Sequence, residues 1–348
     1  MAKKADQTAA LQALKAALRE KKPRHLYIFH GEEDYLRTYY LGQLRKLLID
    51  GPAADFNLHR FDARTMELGA FADAMDALPV MAESSFIQVD DVDLYQLGSE
   101  DRDRMATLLS DIPDYCYIVF VYDTCPWKPD RRMRKFHAAI EKNAEIVEFA
   151  RQAEGELTSW VARHFASAGK RITPELCRYL TNLCGGAMTA LASEISKVAA
   201  YSTAPEISRA DIDAVVEPVL DAVVFQLTDA IAEGRNAGAL QTLRTLLRMQ
   251  QEPIPILGAI GSQLRRADAA KTLLAAGKGT DALMKLCAIS SYPAQKAFGF
   301  ARRMPERFFT SALALCAETD YQLKTSYDEP GALLELLILR LAQEASHA

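Results

Sequence analysis

Short apolar runs alternate with amphipathic stretches up to Ala150, and then the runs stop. His25–His30 reads His-Leu-Tyr-Ile-Phe-His, Ser85–Val89 is similar, and Asp114–Tyr122 is apolar nearly throughout. Phe56–Phe61 alternates imperfectly, and Glu145–Phe149 closes the series. Each of these predicts a strand. Between them, apolar residues recur three or four apart, the period of a helix with one buried face. Leu11, Leu14 and Leu18 mark a first helix over Thr8–Arg19, ended by Lys21-Lys22-Pro23 because proline disfavours helix in the residue before it. A second helix opens at Glu32 and stops near Gly51-Pro52; others are expected over Met66–Ala77, Asp101–Leu109 and Asp130–Lys142. Strands alternating with helices at this spacing predict a parallel α/β sheet. An all-apolar strand such as Asp114–Tyr122 belongs in its interior, covered on both faces.

From Glu154 onward every segment reads as helix. Thr173 and Pro174 suit an N-cap and a first helical position, and Ser208 caps a short helix after the linker Ser202–Arg209. Leu220, Val224, Leu227 and Ile231 form a stripe that Gly234 ends, and further helices run to Ala345. The expected division is an α/β domain over 1–149, a small helical domain over 150–217 and a larger all-helical domain over 218–348.

The turn after the first strand lacks what a nucleotide site needs. A P-loop places G-x-x-x-x-G-K-[ST] there, so that backbone N–H groups and a lysine cradle phosphates. Here one glycine, Gly31, is followed by Glu32-Glu33-Asp34. Carboxylates suit a helix N-terminus but repel a triphosphate at the same spot. Phe86–Val89 followed by Asp90-Asp91 has the form of a magnesium-holding strand end, or is simply a strand leaving the core. Gly169-Lys170 and Gly277-Lys278 lack the upstream glycine and read as helix C-termini.

Composition narrows the classes. The 348 residues carry 41 basic and 46 acidic side chains, a net charge of −5, which excludes a uniformly basic DNA-coating protein but not a local basic face. Six cysteines without C-x-x-C pairing point away from zinc and disulfide frameworks, toward a reducing cytoplasm. The start has no apolar signal core, and Leu333–Ala342, broken by Glu335 and Arg340, is too short to span a bilayer. The six histidines are scattered, and no catalytic motif stands out. No cofactor or metal is expected.

Three surface features have two readings each. Leu78-Pro79-Val80-Met81 joins a helix to a strand; its apolar pair either folds back on its own core or protrudes into a partner's pocket. Lys128, Arg131, Arg132, Arg134 and Lys135, beside Trp127, form either a phosphate-facing cluster or a solvated face. Tyr321, Lys324 and Tyr327, near Pro330, either pack inward or offer an aromatic and a charge to a nucleic-acid end.

Taken in order, the segments 26–36, 78–83, 191–201, 221–231 and 320–325 resemble the delta subunit of bacterial DNA polymerase III over nearly the whole chain. The resemblance implies an AAA+-like first domain without a P-loop, a helical lid and a helical collar. It implies a subunit of the polymerase holoenzyme with no ATPase activity of its own. Its partners would be the β sliding clamp, the ATPase (gamma/tau-type) and delta-prime-type loader subunits, and primed DNA, all in the cytoplasm and none in a membrane. Carried over, the clamp contact is Val80 and Met81, supported by Leu78 and Pro79, where the family often has a Leu-Phe type pair. Apart from the resemblance, the nucleic-acid reading of the 321–327 segment would have Lys324 and Tyr327 face DNA. Two alternatives stay open: an active AAA+-type ATPase using Asp90 and Asp91, and a DNA-binding protein using the 127–135 cluster.

Overall fold

The computed structural model describes residues 2–347, with side chains from 9 onward. It divides into two compact units, Met1–Gln152 and Ala153–Ala348.

In the first unit, β1 (Leu26–His30), β2 (Leu58–Asp62), β3 (Ser85–Asp90), β4 (Cys116–Val121) and β5 (Glu145–Glu148) form one sheet. Its order is β2-β3-β4-β1-β5, and every neighbouring pair is parallel. Successive side chains on a strand point to opposite faces, and β1 uses both. Leu26 and Ile28 enter a core with α3 (Leu68–Asp76), α4 (Ser99–Ser110) and α5 (Arg134–Asn143). Tyr27 and Phe29 enter another with α1 (Ala2–Glu20) and α2 (Asp34–Leu48). The result is the AAA+-like α/β sandwich expected, with β4 buried in the middle of the sheet.

Two boundaries differ from the periodicity. Phe56 is not in a strand: Ala54–Asn57 is a single 3₁₀ turn and β2 starts at Leu58. The Asn57 side chain donates to the carbonyl of Ala53 (2.9 Å), which closes that turn. The helix expected from Asp130 begins only at Arg134. The Asp130 carboxylate accepts from the backbone N–H of Arg132 at 2.9 Å and from its guanidinium, which holds residues 130–132 as a turn after Pro129.

The second unit is helical. The first four helices are α6 (Glu154–Ser167), α7 (Pro174–Leu183), α8 (Met188–Tyr201) and α9 (Arg209–Val215). Thr173 caps α7, accepting from Leu176 N at 3.3 Å, and Ser208 with Asp211 forms a capping box on α9. Then come α10 (Leu220–Ala232), α11 (Asn236–Arg248), α12 (Pro253–Ala275), α13 (Thr280–Cys287), α14 (Ser291–Arg303), α15 (Glu306–Thr325) and α16 (Pro330–Ser346). Val224, Leu227 and Ile231 are buried, with Leu220 packed beside them, against α11, α12, α15 and α16. The stripe on α10 thus faces its own core. Among the described residues no helix is long and apolar enough to cross a membrane.

Candidate functional site

The two ends of the sheet differ. At the C-terminal ends of the strands, where open α/β sheets bind ligands, the chain is occupied by itself. Gly31 has φ +121°, and a Cβ there would lie 2.4 Å from the carbonyl oxygen of Phe149. That same carbonyl accepts the N–H of Glu33 at 2.8 Å. A backbone donor that a phosphate would use is therefore engaged. Arg37, from the first turn of α2, is buried; its guanidinium donates to Gly31 O at 2.7 Å and pairs with the Asp123 carboxylate just beyond β4.

The acidic triplet is not grouped as one cluster. Glu32 pairs with Arg151 at 3.1 Å in solvent, and Asp34 starts α2. Glu33 is buried, and that burial, with the charge of Asp34 beside it, raises its carboxyl above the usual range. The self-occupation comes from the Phe149 carbonyl and from Arg37, a residue the sequence pattern did not single out.

Asp90 and Asp91 are also committed. Asp90 takes the Gln88 amide on both oxygens at 2.8 Å, and burial pushes its carboxyl up against that hydrogen bond. Asp91, in the left-handed region at φ +56°, accepts the N–H groups of Asp123 (2.7 Å), Thr124 (2.9 Å) and Cys125 (2.9 Å) on one oxygen. Its other oxygen takes the Thr124 hydroxyl at 2.7 Å. Burial alone would raise the Asp91 carboxyl, but these hydrogen bonds outweigh it and hold it below the usual carboxylate range. Asp91 closes the 123–125 turn.

The N-terminal ends of β2 and β3 are different. The loop Leu78–Met81 enters β3 with Leu78 75%, Val80 48% and Met81 95% exposed. Phe56, in the turn before β2, is 71% exposed. Met81 sits at φ +51°, uncommon for a long side chain. Behind the loop lies Asn57, 1% exposed. Its side-chain oxygen accepts the Val80 N–H at 2.7 Å and its amide donates to the Val80 carbonyl at 2.9 Å. Alternation across Phe56–Phe61 gave no sign of this, because the burial of Asn57 and its pairing with Val80 exist only in the folded chain.

Two further candidates remain, one in each unit. Trp127 is half-buried and packs against Tyr95 and Tyr122 at the margin of the first unit's core. The adjacent Lys128, Arg131, Arg132, Arg134 and Lys135 are exposed, with Arg132 paired to Asp130. In the second unit Tyr321 and Tyr327 are both exposed, and Lys324 pairs with Asp320 along α15 at 2.6 Å.

Two family descriptions match: DNA polymerase III, delta subunit over residues 27–150, and its C-terminal domain over residues 221–341. The chain is similar to the DNA polymerase III subunit delta of Bacillus subtilis (strain 168), with 25% identity over 332 residues, 93% of this chain and 95% of that one. In fold it is similar to the structure of the Bacillus subtilis DNA clamp loader delta protein, with a TM-score of 0.60 and 22% identity, covering 95% of this chain and 99% of that one. With both ends of the chain matched and the sheet and helical units in their expected order, the chain belongs to the DNA polymerase III delta subunit family.

Proposed function

We propose that this chain is the non-catalytic clamp-loader subunit that binds the ring-shaped β sliding clamp and holds it open for loading onto primed DNA. The observation that carries this reading is the apolar loop Leu78-Pro79-Val80-Met81, pinned from behind and turned to solvent. Exposed apolar side chains on a fixed loop suit a partner's hydrophobic cleft. Burying one such side chain fully stabilises a complex by roughly 1.5–3 kcal/mol before the cost of association is subtracted. The methionine adapts to the shape of a cleft.

The loop acts without chemistry. A clamp that fits the loop better when distorted shifts toward its open form by no more than that difference in affinity. The ATPase gamma/tau-type subunits supply the energy, and a delta-prime-type subunit completes the ring of loader subunits in the cytoplasm. Residues 150–217 act as the lid and 218–348 as the collar. Because the α10 stripe is consumed internally, the collar offers siblings other side chains, such as Leu336 and Leu339 on the outer face of α16. Lys324 and Tyr327, at the exposed end of α15, face primed DNA within the assembled loader.

The test is clamp capture by the double variant Val80→Ser/Met81→Ser. Losing two apolar contacts lowers affinity by about a hundredfold or more while the far-ultraviolet circular dichroism stays unchanged. Undiminished capture by a folded double variant removes the loop from the interface.

A further inference from the structure

We propose that Asn57 is a positioning residue that presents the Val80–Met81 pair in a clamp-ready conformation. This rests on the reading of that loop as the clamp contact. Asparagine buried to 1% exposure is unusual, and this one makes no bond that serves only itself. It donates to Ala53 O within its own turn (2.9 Å), and it holds Val80 through both its N–H (2.7 Å) and its carbonyl (2.9 Å). An asparagine amide carries both a donor and an acceptor, so it reproduces the two-bond pairing that a neighbouring strand would offer. The loop gains the fixity of a strand while its side chains stay outside the sheet.

The next residue shows what that fixity does. Met81 sits at φ +51°, the left-handed region that residues with a Cβ avoid. With Val80 held on both backbone groups, Met81 is kept there with its side chain almost wholly in solvent. Released, the segment relaxes toward ordinary backbone angles, and only the fraction still in the presented conformation binds. Apparent affinity falls by that fraction. Phe56 extends the same edge, one residue before Asn57, and is itself 71% exposed. The 3₁₀ turn and the loop are thus one unit, joined through a single side chain at the N-terminal ends of the two edge-side strands.

The test uses the full chain and the purified sliding clamp from the same organism. Hydrogen exchange over 78–83 and binding kinetics are measured for wild type, Asn57→Ala and Val80→Ser/Met81→Ser. Expected for Asn57→Ala is faster exchange of the Val80 amide and about tenfold weaker binding, equal to about 1.4 kcal/mol, with the loss in the association rate and little change in dissociation. An Asn57→Ala chain that exposes the Val80 amide yet binds the clamp within twofold of wild type overturns the proposal. So does one whose loss lies wholly in dissociation. Should Asn57→Ala fail to fold, wild type alone decides: a Val80 amide that exchanges as fast as the exposed Glu83 amide overturns it. If the Val80/Met81 double variant binds normally, the clamp reading of the loop fails first. If that variant is dead and Asn57→Ala is normal, only the positioning role fails.

Discussion

Arg37 gives the sharpest stability prediction, because its two partners differ in exposure. Arg37→Met keeps most of the apolar stem and removes the guanidinium. Gly31 O then loses its donor in a half-buried turn, at about 1–3 kcal/mol. The ion pair contributes less, since the Asp123 side chain is 61% exposed; a pair so screened adds at most about 1 kcal/mol. We predict a loss of about 1–4 kcal/mol for Arg37→Met and, at about 0.8 kcal/mol per buried methylene, somewhat more for Arg37→Ala. Trp127 reports on the first unit and Trp160 on the second, so urea unfolding followed by fluorescence in a Trp160→Phe background isolates the right transition. Arg37→Met should also leave the chain unable to bind ATP, because the Phe149 carbonyl still holds the Glu33 N–H. An Arg37→Met variant within about 0.5 kcal/mol of wild type, the range of ordinary surface substitutions, refutes the account of this turn; so does one that gains ATP affinity.

Two more outcomes follow from the same geometry. Asp91→Ala should cost about 2 kcal/mol through the lost cap on residues 123–125. Its folded carboxyl lies below the unfolded value, so the stabilisation is complete above about pH 4 and fades as pH falls through the lower folded value; a penalty in urea unfolding that grows on acidification contradicts this. Lys324→Glu with Tyr327→Ala should weaken primed-DNA binding by the reconstituted loader by roughly five- to a hundredfold, in line with about 1–3 kcal/mol per stacked base, while leaving clamp affinity unchanged; equal DNA binding in a filter or anisotropy assay places that end of α15 elsewhere.

The parallel sheet was legible because its strands announce themselves twice. Leu26–Phe29 and Ile118–Val121 are apolar at consecutive positions, as only a strand covered on both faces needs to be. Helix starts were legible where capping chemistry is local: Thr173 and Ser208 satisfy backbone N–H groups within three residues. The start of α5 was not, because Asp130 and Arg132 read as good first-turn residues until their side chains pair with each other. Arg37 and Asn57 were invisible for a deeper reason. Each acts through a partner far along the chain, Asp123 in one case and Val80 in the other, and periodicity carries no information about such pairs. The loop at Leu78–Met81 was visible as a question of exposure, which only the folded chain answers. The acidic triplet at Glu32–Asp34 misdirected attention, since the turn is filled by a backbone carbonyl and an arginine.

The most direct measurement is calorimetric titration of the full chain with its sliding clamp, with and without magnesium and ATP. A lever that does not use nucleotide predicts tight binding with the same affinity in both, and the loss of at least about two orders of magnitude in Val80→Ser/Met81→Ser. Binding that requires ATP, or that survives the double substitution intact, contradicts the account.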